Sequence, residues 1–337
     1  MKEIFQQLNE LLERQQAAVL VTVISSVGST PRGKGAHMLV TDEGRVAGTI
    51  GGGAVEFRAE ELAKDVLKTQ KASKEKFILA PNDIADLGMV CGGNVEVSFH
   101  YFASNDPQIE QICRKINHCY AENQQGWLLL ATTATNGNGI GFYSPKTGLL
   151  GNLGVDVATI DFQESTAQVI SDQCSYWIEP LLKGGNVYVF GSGHVAQAVV
   201  PVLEKLDFYC VVVDDRPQLL TADYFPDADQ RVLADLTHIE KSVQLKATDY
   251  AVVMTRSHKF DFEVTRQLLR KPPEYIGVMG SQRKIDLQIK RLRESGFVQA
   301  EIQRINMPIG LNIKAETPAE LAISVAGELI MKRAAKR

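Results

Sequence analysis

The residues best suited to chemistry lie in the second half of the chain, at a glycine-rich turn. Gly191, Ser192 and Gly193 follow the run NVYVF, and His194 begins an apolar segment of helical spacing. With Ala196 they form the pattern GxGxxA, which joins a strand to a helix in dinucleotide-binding folds. The first glycine permits a tight turn, the second lets the backbone approach a pyrophosphate, and the helix N-terminus supplies N–H donors. The pattern predicts a phosphate-binding turn.

An acidic residue after the next predicted strand extends this pattern. The run YCVVV ends in Asp214 and Asp215, and Asp214 lies 21 residues after Gly193. An acid about 20 residues beyond the turn accepts hydrogen bonds from ribose hydroxyls in such folds. A carboxylate there favours NAD or an adenosine nucleotide over NADP, although Arg216 nearby weakens that preference. Because the same turn can serve packing alone, nucleotide binding is a hypothesis at this point.

Further polar residues follow the next two predicted strands, YAVVMT and EYIGVMGS. In an open parallel sheet the ligand crevice lies at the carboxyl ends of the strands, so we expect these side chains to face the region of Gly191 and Asp214. The residues are Thr255, Arg256, His258, Asp261 and Ser281, and Gly280, directly before Ser281, is a further candidate for cofactor binding through its backbone. For His258 and Asp261 a local interpretation has equal weight, since Asp261 can simply cap the helix that follows.

The first half contains two clusters that could bind an anion. Ser29, Thr30, Arg32 and Lys34 form a cationic loop among glycines. Separately, Gly51, Gly52 and Gly53 lead into a predicted helix, an arrangement that can present backbone N–H groups to an anion. Neither cluster has the GK[ST] sequence of a Walker loop. Glycine at these positions could equally reflect a strand crossing or a bulge, so both interpretations stay open.

Cys91 is flanked by Gly92 and Gly93, and a thiol on a glycine turn near Arg or Lys would be accessible and reactive. The alternative is a small buried apolar residue, because free cysteine is often buried. Glu56 could transfer a proton, but we favour its simpler role as an acidic residue in the first turn of a helix.

The elements that would position these residues differ between the two halves. The first half has strand-like runs such as AAVLVTVIS and AHMLVTD between amphipathic helices, which predicts a mixed α+β domain over residues 1–183. The second half alternates strands and helices, which predicts a Rossmann-like, doubly wound parallel sheet over residues 184–337. We place the boundary at the glycine-rich junction around Gly184 and Gly185.

Composition limits the classes of partner. The 337 residues are 45% hydrophobic and 23% charged, with a formal net charge of −4, which argues against nucleic-acid binding. No apolar run reaches the roughly 18 residues that span a membrane. The five cysteines are an odd number without an export signal, so we expect reduced thiols and a cytoplasmic location. Cys113 and Cys119, with His118 between them, match no standard zinc spacing.

Taken together, several motifs give the chain a family resemblance. They are GSTPRGKGAHMLV, GTIGGGAVE and CGGNVEV in the first half, and VFGSGHVAQA, VVDDRP, TRSHKFD, YIGVMGSQRK and MPIGLNIKAETPAELAISVAGELI in the second. With them the chain resembles, over nearly its full length, the XdhC/CoxI family of accessory proteins for xanthine dehydrogenase and related molybdenum hydroxylases. Asn306 and Met307 depart from the His and small residue common in that family, and Lys314 from a common Gly.

The resemblance implies a protein that binds molybdenum cofactor, assists the exchange of an oxo for a sulfido ligand, and inserts the cofactor into an apo molybdenum hydroxylase. A cysteine desulfurase would be the second protein partner. By position, the resemblance nominates Arg32, the turn of Gly51, Gly52 and Gly53, Cys91 with its glycines, and the Rossmann crevice.

Our first hypothesis is therefore a non-catalytic maturation factor that holds molybdopterin or its dinucleotide form. Cys91 would bind molybdenum or a transferred sulfur, since a soft thiolate suits both, and the Rossmann half would hold a pterin phosphate, NAD or another nucleotide. The alternative is an NAD-dependent oxidoreductase with His258 or Lys259 as its acid–base group. A redox-sensing regulator that binds nucleotide without turnover is a third option. A homodimer is compatible with all three.

Overall fold

A computed structural model describes residues 1–78, 93–132, 139–151, 153–160, 162, 166–171, 174–182 and 185–335. Contacts divide the chain into two compact units, Met1–Leu182 and Lys183–Arg337. Cys91 and Gly92, together with part of the glycine-rich junction, lie outside the described residues.

The first unit is built on two antiparallel five-stranded sheets. Sheet A has the strand order β3-β2-β1-β5-β4 and sheet B the order β8-β7-β6-β10-β9. The strands of sheet A are β1 (Ala18–Val27), β2 (His37–Thr41), β3 (Gly44–Gly48), β4 (Ser73–Ile78) and β5 (Asn94–Phe102). Those of sheet B are β6 (Trp127–Ala131), β7 (Ile140–Ser144), β8 (Gly148–Leu150), β9 (Thr166–Ser171) and β10 (Cys174–Pro180).

The helices described in this unit are α1 (Lys2–Glu13), α2 (Gly53–Thr69) and α3 (Pro107–Ala121). Successive side chains of β1 point to opposite faces of sheet A, so they pack into two different hydrophobic cores. Ala18 and Leu20 join a core with α1, α3 and one face of sheet B, whereas Val19 and Val21 pack with α2 on the other face of sheet A.

Buried polar groups link sheet A to sheet B. His37 Nε2 lies 2.7 Å from Glu179 Oε2, and Trp177 Nε1 donates to the same oxygen at 2.8 Å. On the next strands, His100 Nε2 lies 2.7 Å from the carbonyl oxygen of Ala131. Because buried polar groups are costly without partners, these bonds fix how the two sheets pair.

The second unit is built on one parallel sheet with the order β13-β12-β11-β14-β15-β16. Its strands are β11 (Val187–Phe190), β12 (Cys210–Asp214), β13 (Gln230–Leu233), β14 (Tyr250–Val253), β15 (Tyr275–Val278) and β16 (Ile305–Asn306). Its helices are α4 (His194–Glu204), α5 (His258–Arg270), α6 (Gln282–Glu294), α7 (Gln299–Ile302) and α8 (Pro318–Ala334).

Both faces of this parallel sheet are covered. Helices α4 and α8 contribute to the core on one face, and α5 and α6 to the core on the other. Together with the mixed first unit, this confirms the predicted fold class: an α+β half followed by a Rossmann-like doubly wound half. Within the part of the chain that the structure describes, no helix is long and apolar enough to cross a bilayer.

Candidate functional site

The turn between β11 and α4 contains two glycines with different tasks. Gly191 has φ +120°, and a Cβ there would overlap the carbonyl oxygen of Met254 on the neighbouring strand. Gly193 is exposed, and a Cβ on it would meet no atom within 4 Å. The first glycine is therefore required by the packing of the strands. The second leaves the backbone at the N-terminus of α4 open to close approach by a ligand.

The carboxylate of Asp214 holds this turn in place. Its Oδ2 accepts hydrogen bonds from the backbone N–H and the hydroxyl of Ser192, both at 2.8 Å. Arg216 donates to both carboxylate oxygens, from Nε at 2.9 Å and from Nη2 at 2.9 Å, and its backbone N–H donates at 3.0 Å. Asp214 is 1% exposed. The acid predicted to accept ribose hydroxyls thus has both oxygens occupied by the protein.

These contacts also change the acidity of Asp214. Burial raises the pKa of this carboxyl, but the hydrogen bonds from Arg216 and Ser192 outweigh it, so the pKa falls to about 2. At neutral pH the group is a bidentate partner of a guanidinium, an arrangement that is strong and directional. Its charge stabilises the loop after β12 and the glycine turn after β11.

A second ion pair connects the ends of β12 and β14. Arg256 Nη2 donates to Asp215 Oδ2 at 2.7 Å, and the guanidinium carbon of Arg256 lies 4.8 Å from the centre of the Phe260 ring. Asp215 remains 22% exposed. The carboxyl edge of the sheet therefore brings together the glycine turn, Asp214, Arg216 and Arg256, as the strand order predicts.

Asp261 does not cap α5, whose N-cap is Ser257, but binds Thr255 in the loop after β14. Its Oδ1 accepts from the backbone N–H of Thr255 at 2.8 Å and from the Thr255 hydroxyl at 2.7 Å. Burial raises the pKa of Asp261, and these hydrogen bonds oppose the shift. His258 is exposed in the first turn of α5, and Ser281 is the exposed N-cap of α6 after the half-buried Gly280. These three residues remain candidates by position.

Glu328 on α8 ties the segment after β16 to the sheet, although the sequence analysis did not select it. Its Oε2 accepts from the hydroxyl of Tyr275 at 2.7 Å and from the backbone N–H of Gly310 at 2.5 Å. The backbone N–H of Ile309 donates to the carbonyl of Val278 at 3.0 Å, so the segment after β16 follows the end of β15. The signal that could have found Glu328 is a carboxylate within the apolar run ISVAGELIM.

In the first unit, the cationic loop packs directly on the three-glycine turn. A Cβ on Gly51 would lie 2.5 Å from Pro31 Cβ and 3.2 Å from the backbone nitrogen of Arg32. A Cβ on Gly93 would lie 2.6 Å from the carbonyl oxygen of Ser29. Arg32 itself is exposed. The structure thus brings together the loop, the turn and the residue after Gly92, which were separate clusters in the sequence.

Glu56 organises the three-glycine turn from inside. Its Oε2 accepts the backbone N–H groups of Ile50 at 2.9 Å and Gly52 at 3.1 Å, and the hydroxyl of Thr49. Arg45 Nη1 lies 3.1 Å from its other oxygen. Burial raises the pKa of Glu56, but these hydrogen bonds and the Arg45 charge outweigh it, so the net pKa is lowered. Of the N–H groups expected to face an anion, that of Gly52 is already bound to this carboxylate and that of Gly51 to the Thr49 hydroxyl.

The three-glycine turn remains open to a ligand at Gly52, directly before α2. Gly52 has φ +74° and a Cβ on it would meet no atom within 4 Å. A ligand anion could therefore approach the N-terminus of α2 from the side of Gly52 and Arg32. Cys91 and Gly92, assigned to the same cluster, lie outside the described residues.

Cys113 and Cys119 have a structural role in the first unit. Both are buried on the core face of α3, and burial raises the pKa of the Cys113 thiol to about 12. Among the described residues, no three His, Cys, Asp or Glu side chains are grouped so that they could hold a metal ion.

Comparisons with known proteins match both units. Residues 187–329 match the model of the XdhC Rossmann domain, and residues 11–78 match the model of the XdhC and CoxI family. The chain belongs to the XdhC and CoxI family. This confirms the resemblance found in the sequence motifs.

Curated relatives of this XdhC/CoxI chain are distant but extend over its whole length. It is 26% identical over 336 residues to a probable xanthine dehydrogenase subunit of Bacillus subtilis, covering 97% of this chain and 96% of the relative. It is 23% identical over 332 residues to the molybdenum cofactor insertion chaperone PaoD of Escherichia coli, covering 96% and 86%. It is 24% identical over 335 residues to Escherichia coli YqeB, of which it spans 46%.

The fold also matches a solved structure. A crystal structure of a xanthine dehydrogenase from Bacillus halodurans has a TM-score of 0.79 to this XdhC/CoxI chain at 23% identity. The match covers 99% of this chain and 96% of that one. At this identity the likeness establishes the shared fold.

Proposed function

We propose that this chain is an accessory protein that binds molybdenum cofactor, supports its sulfuration, and inserts it into a molybdenum hydroxylase of the xanthine dehydrogenase type. The observation that carries the proposal is the convergence of Arg32, the Gly51 turn and Gly93 at one place in a member of this family. The name of PaoD, a molybdenum cofactor insertion chaperone, supports the same role.

The described residues fit the anionic part of such a cofactor. A pterin phosphate or dinucleotide needs backbone N–H donors that it can approach closely, and positive charge beside them. Gly52 and Gly193 each leave open space at the N-terminus of a helix. The backbone of Arg32 lies against Gly51 in the first turn, and Arg216 donates to the Ser192 hydroxyl in the second. The N–H of Gly52 is bound to Glu56, so Arg32 and the N–H of Gly53 would hold one anionic group on the open side of Gly52. Gly193 with His194 would hold another.

In the Rossmann half, the proposed role of Asp214 differs from the expectation that it accepts hydrogen bonds from a ribose. Since Asp214 is bound to Ser192 and Arg216, we propose that it positions the turn rather than a ribose. Asp215 and Arg216, each about a quarter exposed or less, would then face the ligand beyond the turn. Molybdopterin in its dinucleotide form, NAD and another nucleotide are the ligands that this edge would accept.

Cys91 is proposed as the soft ligand of the site. When bound, the cofactor supplies the molybdenum centre, and a thiolate beside it would bind the metal or hold the sulfur delivered by a cysteine desulfurase. Gly93, two residues after Cys91 in the sequence, packs on the carbonyl oxygens of Val27 and Ser29, beside the loop of Arg32.

The proposal is tested by anaerobic reconstitution with molybdenum cofactor, ultrafiltration and fluorescence of the oxidised pterin. We expect wild type to retain pterin, and Arg32→Ala to bind it about tenfold more weakly, because one charge-assisted contact is lost. Lys68→Ala removes an exposed cation at the other end of α2 and should bind like wild type. Equal retention by wild type, Cys91→Ala and an unrelated protein would sink the proposal.

Two further measurements separate the parts of the proposal. Gly193→Ala should fold normally, since its Cβ meets open space, yet weaken nucleotide or pterin binding where the ligand approaches the backbone. Loaded wild-type protein mixed with apo hydroxylase should restore hydroxylase activity, and omission of the desulfurase should reduce it. Turnover of NADH with aldehydes or ketones would instead favour an oxidoreductase.

A further inference from the structure

The outward face of α2 carries an exposed aromatic ring next to the three-glycine turn. Phe57 is 69% exposed, more than any other large apolar side chain in the part of the chain that the structure describes. The inward face of α2 packs against sheet A without this ring, through Val55, Ala59, Ala63 and Val66. Single exposed apolar residues are common on protein surfaces, so the meaning of Phe57 depends on the groups around it.

The Phe57 side chain covers the first turn of α2. Side chains of a helix tilt towards its N-terminus, so each lies over the residues three and four positions before it. For Phe57 these residues are Ala54, which is half-buried, and Gly53, which is exposed and has no side chain to cover the ring. The backbone N–H groups of Gly53 and Ala54 have no acceptor within the helix, because they belong to its first turn. The ring therefore lies beside free N–H donors.

An arginine lies next to the ring. Arg58 is exposed four residues after Ala54, and among the described residues no carboxylate pairs with it. Arg45, by contrast, is bound to Glu56 and lies 3.9 Å from Glu60. The first two turns of α2 thus combine free N–H donors, an available guanidinium and an aromatic face. At about 1.5 Å rise per residue, the donors and the ring are separated by about 6 Å along the helix axis.

We propose that Phe57 stacks on the pterin ring of the cofactor, while Gly53 and Arg58 bind its phosphate. The inference rests on the proposed function and adds the side chain that recognises the pterin itself. A planar heterocycle stacks favourably on an aromatic side chain. The phosphate of the same molecule needs positive charge and N–H donors, which this helix supplies one turn before the ring. Inorganic phosphate would use the donors but not the ring.

Anaerobic titration of the full chain with molybdopterin, followed by pterin fluorescence, tests the contact. We expect Phe57→Ala and Phe57→Leu to bind about tenfold more weakly than wild type, because neither variant has an aromatic face. Phe57→Trp should bind at least as tightly as wild type. Leu287→Ala is the control: Leu287 is 41% exposed on α6 in the other unit, and this variant should bind like wild type. Urea unfolding of all four variants should match wild type, since both side chains are exposed.

Two further readouts separate a stacking contact from a general effect on the turn. The indole fluorescence of Phe57→Trp should be quenched when molybdopterin binds, beyond the quenching that wild type shows from Trp127 and Trp177. Inorganic phosphate, added as a competitor, should displace molybdopterin from Phe57→Leu with the same inhibition constant as from wild type. For Arg58→Gln that constant should rise about fivefold, because a charge-assisted contact to phosphate is lost.

Wild-type affinity in both Phe57→Ala and Phe57→Leu would overturn the inference and leave the proposed function standing, with the pterin ring bound elsewhere. If those variants bound molybdopterin normally but failed to restore hydroxylase activity, Phe57 would contact the hydroxylase instead. A phosphate constant that rises in Phe57→Leu as much as molybdopterin binding weakens would mean a distorted turn rather than a lost stacking contact. No binding of molybdopterin by wild type would overturn the inference and the proposed function together.

Discussion

Individual carboxylates in this protein serve the loops that a ligand would touch, rather than the ligand itself. Glu56 binds the backbone of the three-glycine turn, and Asp214 binds the turn after β11. Each is buried, ionised and paired with an arginine. Such groups preorganise a binding turn at a cost in desolvation that the hydrogen bonds offset. Their removal should therefore disturb folding and binding together.

Replacing Glu56 by Gln should lower the free energy of unfolding by about 2 kcal/mol, because charge-assisted hydrogen bonds to Thr49, Ile50 and Gly52 are lost. Urea unfolding at pH 7 measures this change. Because the folded pKa is lowered, the stabilisation is present above the ordinary pKa and is lost as pH falls through the folded value. Glu61→Gln, exposed on the same helix, should change stability by less than about 0.5 kcal/mol. Equal effects of the two variants would contradict the assigned role.

Asp214→Asn should be destabilising by about 2 kcal/mol at pH 7, since it leaves the Arg216 guanidinium and the Ser192 donors without their carboxylate. Asp215→Asn is the control, and it loses an ion pair that is partly exposed, so we expect a change below about 1 kcal/mol. Thermal unfolding measures stability, and equilibrium dialysis with NADH or molybdopterin measures binding. A stable Asp214→Asn protein that fails only to bind would assign the carboxylate to the ligand after all.

At the scale of elements, the pairing of sheets A and B depends on polar groups in the interior. His100 on β5 meets the carbonyl of Ala131 on β6, and His37 on β2 meets Glu179 on β10. Polar contacts of this kind contribute less to stability than to a unique arrangement, because mismatched sheets would leave the groups unsatisfied. The buried His100 also makes the first unit sensitive to pH.

Burial lowers the pKa of His100 from 6.5 to about 4. Above pH 6.5 the imidazole is neutral in the folded and unfolded states. As pH falls from 6.5 towards 4, only the unfolded chain gains the proton, and stability should decline by up to about 3 kcal/mol. Urea unfolding from pH 7.5 to 5 should show this slope in wild type and a shallower one in His100→Gln. His118→Gln, an exposed histidine on α3, should keep the wild-type slope. Parallel slopes for all three proteins would contradict the assignment.

The whole molecule consists of two units, each with its own cores. We expect two unfolding transitions in calorimetry that respond to different substitutions. Gly191→Ala forces a Cβ onto the Met254 carbonyl and should lower only the Rossmann transition, by roughly 10 °C for a loss of about 3 kcal/mol. Glu56→Gln should lower only the other transition. A single transition shifted equally by both substitutions would show that the units unfold together.

Much of the architecture could be predicted because the signals are local. The β-branched run before Gly191 and the apolar stripe of α4 each lie within one short segment. The strands that the sequence did not reveal are mostly at sheet edges. In β4 only Phe77 is buried, and β16 has two residues, so neither has the apolar alternation of a central strand.

The glycine turn after β11 shows where the sequence was sufficient and where it was not. The GxGxxA pattern and the acid 21 residues later were enough to predict a strand, a turn, a helix and a second strand. The spacing of apolar residues and the backbone freedom of glycine depend only on residues close together in the sequence. Whether that acid faces a ribose or Ser192 and Arg216 was decided only in three dimensions. The same is true of Glu179 and His37, 142 residues apart. Hydrogen bonds across such separations depend on how whole sheets pack, which no local pattern encodes.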